Sequence, residues 1–273
     1  MSPAKLGQHW LIDKRVCGQI ADSTGLNPNT TCIEIGGGKG ALTKFLLPLC
    51  RRLIIYEIDS NWAAHQRKFL PQWLEKSGAK TEHEVRELDA LKIVWTRESL
   101  GLEKKEHVVV TGNLPYYITS PLLLRLAYSY LDIDRALFLI QREVARRIAA
   151  SPGDTDYSRL TVSLGAFFKS RMLFNVPPDA FKPRPKVMST LIELEPYPKP
   201  RVDPDIVSLF EFTAQVSFHM RRKKLRNNLI KGFPSIAPAK IDEILSVLGI
   251  QPNARAQEID VETFVRLSGM LKV

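Results

Sequence analysis

Four consecutive residues, Asn113, Leu114, Pro115 and Tyr116, are suited to holding a planar amine. The exocyclic amine of a purine is a poor nucleophile because its lone pair is conjugated with the ring, so methylating it requires acceptors that hold its N–H groups. Asn113 and the carbonyl of Leu114 can supply these acceptors, and the ring of Tyr116 can stack on a base removed from its helix. Because the stretch follows an apolar run at 108–111, it lies where open α/β sheets bind ligands. In isolation the same residues also fit a plain turn.

A glycine-rich stretch that includes Gly36 and Gly38 follows an earlier apolar run, and glycines there let a backbone approach a ligand closely. Glu57 lies 21 residues after Gly36, the spacing at which a carboxylate reaches the hydroxyls of a ribose. With Ala41, the glycines satisfy the G-x-G-x-x-G/A pattern of dinucleotide sites. With Glu34 before them and Gly40 after them, the same glycines also satisfy E-x-G-x-G-x-G, which suits S-adenosylmethionine. The loop alone therefore leaves both cofactors open. Asp89 would reach a cofactor's adenine amine if it ends a third strand.

Short β-branched runs alternate with helical stretches through the first half of the chain, a pattern typical of βαβ units. We predict strands at 31–35, 53–57, 108–111 and 137–140. Helices are predicted at 41–49, 60–69 and 121–131, the last with Ser120 as its N-cap. This order predicts a doubly wound, mostly parallel sheet. The alternating apolar residues of 188–194 predict a late antiparallel strand.

Three prolines at alternate positions, Pro196, Pro198 and Pro200, favour an extended connection and exclude a helix. We place a domain boundary there, with a catalytic domain at 1–197 and a C-terminal domain at 198–273. Helices are predicted in the second domain at 206–220, 238–248 and 261–271. The sequence therefore predicts an α/β domain followed by a small all-α domain.

The chain has 273 residues, a formal net charge of +10 and a sequence pI near 9.5, so a polyanion such as nucleic acid is the expected partner. A basic run without acidic residues supports this, and its cations are Arg221, Arg222, Lys223, Lys224 and Arg226. For a charge run alone, a solvated helical face is the alternative. A second basic patch, interleaved with prolines, comprises Lys182, Arg184 and Lys186.

Composition excludes several other classes of protein. An apolar fraction of 44% excludes wholesale disorder, and three cysteines exclude a disulfide scaffold. The sequence has no apolar run of about 18 residues and no signal sequence at its start, so neither a membrane protein nor a secreted one is expected. We expect a cytoplasmic monomer, with a nucleolar or organellar location left open. The five histidines lack metal-ligand spacing, so no metal is predicted.

The chain resembles the ribosomal RNA adenine dimethyltransferase family, whose members are S-adenosylmethionine-dependent enzymes of the Rossmann-like class I methyltransferase fold. The resemblance runs almost end to end and rests on ordered motifs at 7–11, 34–43, 57–59, 89–90, 112–116, 181–187 and 221–228. The sequence departs from the family at His9 and Trp10, which replace the usual Asn-Phe. A histidine beside the sulfonium is expected to weaken or retune cofactor binding.

The resemblance implies a role for each matching position. Glu57 would hold the ribose, Asp89 would bind the adenine amine, and Phe181 would complete a base sandwich with Tyr116. The positions implied for the cofactor are Gln8, His9, Leu11, Gly36, Gly38, Glu57, Ile58, Asp89, Ala90 and Asn113. Those implied for catalysis are Asn113, Leu114, Pro115, Tyr116 and Phe181. The two basic patches are the positions implied for RNA.

The activity implied by the resemblance is dimethylation of two adjacent adenosines near the 3′ end of small-subunit ribosomal RNA, during ribosome biogenesis, with the small subunit as partner. The residues alone support a basic methyltransferase that acts on an amine-bearing base by orientation and electrostatics. Three alternatives remain. They are a macrolide-resistance-type methyltransferase of large-subunit RNA, a non-catalytic ribosome-assembly or transcription factor on the same fold, and an NAD-dependent oxidoreductase, which has no role for 113–116.

Overall fold

Seven strands form the central sheet in a computed structural model that describes residues 9–272. The strands of the molecule are β1 (Trp10–Leu11), β2 (Thr30–Ile35), β3 (Arg52–Glu57), β4 (Glu82–Glu87), β5 (His107–Asn113), β6 (Arg135–Gln141), β7 (Phe168–Val176), β8 (Phe181–Lys182) and β9 (Ser189–Pro196). Their order across the sheet is β4-β3-β2-β5-β6-β9-β7, and β1 pairs with β8 separately. Gln8, a predicted cofactor position, lies outside the described residues.

The helices connect and cover these strands. They are α1 (Lys14–Ser23), α2 (Thr43–Leu46), α3 (Ser60–Ser77), α4 (Arg97–Leu100), α5 (Thr119–Tyr128), α6 (Arg142–Ile148), α7 (Arg159–Gly165), α8 (Val207–Ser217), α9 (Leu225–Gly232), α10 (Pro238–Val247) and α11 (Val261–Met270). No helix in the described part of the chain is both long and apolar enough to cross a bilayer.

The sheet is parallel from β4 to β6, and β9 runs antiparallel to β6. At its centre Ile33 of β2 lies opposite Ile54 of β3 and Val110 of β5, and all three side chains are fully buried. Continuous burial of this kind is expected where helices cover both faces of a parallel sheet. The predicted doubly wound sheet and the late antiparallel strand are therefore confirmed.

Two helices differ from the prediction. The helix predicted at 41–49 is the short α2 followed by a 3₁₀ turn, because Pro48 has no N–H to continue the α-helical pattern. Helix α3 continues past 69 despite Pro71 and ends at Gly78, which adopts a left-handed conformation.

Strand β4 and the start of α5 also differ from the sequence analysis. Helix α5 begins at Thr119, so Ser120 lies inside the helix and is not its N-cap. Strand β4 was not predicted because it is polar, with a charged residue at most of its positions. It forms an edge of the sheet, where charges discourage pairing with other chains. Asp89 follows this strand, as its predicted role requires.

The chain divides into two compact units, one of Met1–Ala145 with Arg171–Pro196 and the other of Arg146–Ser170 with Tyr197–Val273. The proline-rich boundary predicted from the sequence puts 146–170 in the first domain. The structure groups these residues with the helical unit because α7 packs against α8 and α11. Within that unit Phe210 and Phe264 are fully buried, and the hydroxyl of Tyr157 donates to the carbonyl of Ile259 at 2.7 Å.

Candidate active site

A cleft opens at the carboxyl ends of β2, β3, β4 and β5, and its volume is about 610 Å³ when the part open to solvent is included. The chain runs outward from β2 to β3 and β4 and then crosses to β5 on the other side of β2. Such a switch point is where open α/β sheets bind ligands. The structure brings these predicted site residues together in its lining: His9, Gly36, Glu57, Ile58, Asp89, Ala90, Asn113 and Pro115. A smaller adjoining pocket contains Leu11.

The carboxylate of Glu57 is held rigidly at the end of β3. One oxygen accepts the backbone N–H of Gly38 at 2.8 Å, and the other accepts that of Asp59 at 3.0 Å. Glu57 is only 3% exposed, and this burial raises the pKa of its carboxyl group. Since each oxygen has a second lone pair, the group can still accept a hydroxyl from a ligand in the cleft.

Gly38 does not line the cleft. It lies between the carboxylate of Glu57 and an aromatic ring. Its φ of +49° lies in the left-handed region, and a Cβ there would lie 2.3 Å from the ring of Trp10. The glycine at this position therefore accommodates Trp10 as well as the turn of the loop.

A buried hydrogen-bond network supports the glycine loop from behind. The hydroxyl of Thr43 donates to Glu34 at 2.7 Å, and Nε2 of Gln66 donates to the carbonyl of Gly38 at 3.1 Å. Burial raises the pKa of Glu34 to about 7. Gln66 was not predicted as a site residue, although the sequence carries a signal for it. It lies between Ala63 and Leu70 on the buried face of α3, where a polar residue requires partners.

Asn113 ends β5 with its amide directed into the cleft. Its Nδ2 donates to the backbone carbonyl of His9 at 2.9 Å, and no donor in the described part of the chain reaches its Oδ1. The next backbone N–H, that of Leu114, donates to the carbonyl of Leu139 on β6 at 3.1 Å. The site therefore presents an amide oxygen whose position is set by two neighbouring elements.

The N-terminal segment is anchored beside Asn113 by the pairing of β1 with β8. The register places Leu11 opposite Phe181, and Nδ1 of His9 lies 2.8 Å from the carbonyl oxygen of Pro183. The ring of His9 lies 5.5 Å from that of Tyr116, measured between centroids. Residues 9–11, predicted to close over the cofactor, are thus adjacent to the proline-rich motif at 181–187. Their separation in the sequence did not reveal this contact.

The aromatic residues differ in their access to the cleft. Tyr116 is half-buried, and its hydroxyl lies 3.1 Å from that of Ser189. Phe181 is only 4% exposed and packs in the core with Leu11, so the structure does not bring its ring to the cleft, and its role in a base sandwich stays a prediction. Tyr117, which the sequence analysis did not assign, is 57% exposed and lines the cleft. Burial, together with the charges of Asp89 and Glu57, raises its pKa.

The basic residues fall into two kinds. Six are exposed and form no ion pair within residues 9–272: Lys182, Arg184, Lys186, Arg222, Lys223 and Lys224. The guanidinium of Arg221, although also exposed, donates to the carbonyls of Thr155 and Tyr157, and that of Arg226 forms a two-point ion pair with Asp242. These two arginines have partners within the helical unit, which the sequence spacing could not show. Among the described residues, no cluster of three or more His, Cys, Asp or Glu could hold a metal ion.

Comparisons with known proteins agree with this geometry. The profile of a family described as "Ribosomal RNA adenine dimethylase" matches residues 3–272. The ribosomal RNA small subunit methyltransferase A of Bordetella pertussis is 37% identical over 267 residues, covering 98% of this chain and 93% of the relative. The protein of the same name from Listeria welshimeri is 34% identical over 273 residues, covering 97% of this chain and 89% of the relative.

Two solved structures are similar over nearly the whole chain. A dimethyladenosine transferase from Plasmodium falciparum has a TM-score of 0.76 at 26% identity, covering 95% of this chain and 96% of that one. The 23S rRNA methyltransferase ErmE has a TM-score of 0.67 at 25% identity, covering 97% of this chain and 100% of that one. The fold is therefore that of class I methyltransferases.

Proposed function

The chain belongs to the ribosomal RNA adenine dimethylase family, and we infer that it dimethylates the exocyclic amine of adenosine in small-subunit ribosomal RNA. Relatives named small subunit methyltransferase A and a solved dimethyladenosine transferase support this assignment. We propose that the targets are two adjacent adenosines near the 3′ end of that RNA. We also propose that the chain acts as a monomer on the small subunit.

The residues of the cleft fit S-adenosylmethionine, the cofactor of this family, which supplies a methyl group on a positively charged sulfur. Glu57 would hold the ribose, since its carboxylate keeps lone pairs free at the end of β3. Asp89 and Ala90 would hold the adenine, and Gly36 would pass beside the methionine part. All four of these residues line one cleft with Asn113, which supports their assignment to one ligand.

The observation that carries the proposal is the orientation of the Asn113 amide. Because Nδ2 is engaged by the carbonyl of His9, Oδ1 is the atom offered to a ligand. An acceptor at that point would hold an N–H of the target amine and stabilise the positive charge that develops on its nitrogen as the methyl group is transferred. The carbonyl of Leu114 would accept the second N–H, and Tyr116 would stack on the base.

The exposed cations would neutralise phosphates of the RNA. Lys182 lies in β8, which pairs with β1, and Arg184 and Lys186 follow it in the chain. Arg222, Lys223 and Lys224 belong to the helical unit. Arg221 and Arg226 contribute less, because their guanidinium groups already have partners. Binding should therefore weaken steeply as salt concentration rises.

Methyl transfer from radiolabelled S-adenosylmethionine to unmethylated small subunits tests the proposal, with large subunits and naked RNA in parallel. Asn113→Ala should lower the rate by about a hundredfold or more, the cost of removing one stabilising group from a transition state. Asn29→Ala is the matched control, since Asn29 is exposed and lies at the amino end of β2, whereas the cleft lies at its carboxyl end. Cofactor affinity is measured for each variant.

Each outcome of this experiment supports a different one of three functions. Label in small-subunit RNA that digests to dimethyladenosine and is lost only in Asn113→Ala establishes the activity. Label in large-subunit RNA favours an activity like that of ErmE. An absence of label, despite measurable binding of cofactor and subunits, would refute the enzyme and favour an assembly factor.

A further inference from the structure

A continuous strip of half-buried rings runs outward from the cleft. We name it the aromatic strip, and its members are Trp10, Trp62, His65, Phe69 and Trp73. Successive ring centroids along it lie 5.2, 5.6, 4.5 and 6.2 Å apart. Trp10 lines the cleft, so the strip begins at the candidate active site.

The strip lies beside the most deeply buried face of α3. Helix α3 buries Ala63, Gln66 and Leu70. The aromatic positions at 62, 65, 69 and 73 follow a neighbouring row of the same helix at helical spacing. Each ring there remains partly exposed to solvent. Trp73 also packs against the core and beside Gly40, but its ring, like the others, stays partly exposed, so the row forms a surface available to a partner.

Lysines lie along the whole length of the strip. The ammonium of Lys39 is 5.6 Å from the ring centre of Trp10 and 5.4 Å from that of Trp62. Lys44 lies 4.5 Å from the ring centre of Trp73, and Lys68 lies 5.6 Å from that of Phe69. None of the three lysines forms an ion pair within residues 9–272. The surface thus combines ring faces with cations that lack a carboxylate partner.

We propose that the aromatic strip binds unpaired RNA, with bases stacked on its rings and phosphates contacted by Lys39, Lys44 and Lys68. Stacking platforms flanked by cations are the physical basis of sequence-tolerant single-strand binding. An ammonium that lies over a ring in the free protein can move to a phosphate when a base takes its place on the ring. Binding of RNA to the aromatic strip is independent of the proposed function. Only the further step, that the bound strand leads into the cleft, rests on that function.

Tryptophan emission during titration with a short oligoadenylate tests the binding directly. Three of the four tryptophans belong to the strip, and Trp95, which is 4% exposed, supplies a constant background. Unpaired RNA should quench the emission, and a duplex of equal length should not. Trp62→Leu and Trp73→Leu keep apolar packing but remove a stacking face, so each should weaken binding about 5- to 150-fold, which converts about 1–3 kcal/mol per stacked base. Phe212→Leu is the control, since Phe212 is 43% exposed in the helical unit.

A surface charge variant provides a test that does not depend on packing. Lys44→Gln should reduce the slope of log K against log salt by about 0.7, the value for one phosphate contact on a single strand. Lys240→Gln removes the same charge from a lysine paired with Glu243 and should leave the slope unchanged. An unchanged slope for Lys44→Gln, equal quenching by duplex, or quenching by anionic phospholipid vesicles but not by RNA would overturn the proposal. Since no arm requires methyl transfer, a failure of the proposed activity would be recognised separately.

Discussion

Gly112 leaves no space for a side chain between β5 and β2, so we expect Gly112→Ala to damage the cleft. A Cβ at this position would lie 2.3 Å from the carbonyl oxygen of Ile35 and 3.2 Å from its carbon and nitrogen. These atoms belong to backbone inside a buried sheet, so relief requires the two strands to separate by about 1 Å. Ile35 precedes Gly36 and Gly112 precedes Asn113, so this separation would displace both sides of the candidate site.

The magnitude follows from two effects. Overpacking of a core costs about 1–3 kcal/mol, and a displacement of about 1 Å in a catalytic group lowers the rate about a hundredfold. Gly18→Ala is the matched control in the same unit. Gly18 lies within α1, its nearest neighbour would be Phe45 at an ordinary 3.8 Å, and an alanine there should stabilise the helix by about 0.5–1 kcal/mol.

Urea unfolding and methyl transfer on small subunits would be measured for both variants. The change from glycine to alanine should lower the free energy of unfolding at Gly112 and raise it at Gly18. If Gly112→Ala had wild-type stability and turnover, the close approach of β2 and β5 would not be what positions Asn113, and the reasoning would be refuted.

Three further substitutions test the site. Burial raises the pKa of Glu34 from near 4.5 to about 7, so the folded protein retains a proton that the unfolded chain releases. As pH rises from near 4.5 to about 7, the free energy of unfolding should therefore fall by up to about 3 kcal/mol. Glu34→Gln should remove this part of the fall, which urea unfolding at several pH values would measure. Gln66→Leu should cost about 1–3 kcal/mol in thermal or urea unfolding and weaken cofactor binding, because Gly38 and Thr43 lose a buried partner. Tyr117→Ala should raise the cofactor Kd about 2- to 12-fold by calorimetry, whereas Tyr117→Phe should not, since the contact expected from its exposed ring at the cleft is stacking.

Much of the α/β unit was predictable because its signals are local. The buried strands are short apolar runs, and four of them lie where the sequence placed them within one or two residues. Strand β4 was missed because an edge strand need not be apolar, and 146–170 was assigned to the wrong unit because its packing partners are helices far along the chain. Phe181 illustrates the same limit, since a motif position does not reveal whether a ring faces a cleft or a core.

The sequence by itself determined four of the parallel strands, the glycine loop after β2, and the placement of Asn113 at the end of β5. These features depend on residue types and spacings within a few positions of one another. Only the tertiary structure decided that His9 accepts the amide of Asn113, that Arg226 is paired with Asp242, and that Trp10 joins the rings of α3. Such contacts join residues far apart in the chain, and which partners meet depends on how whole elements pack, which periodicity and propensity do not encode.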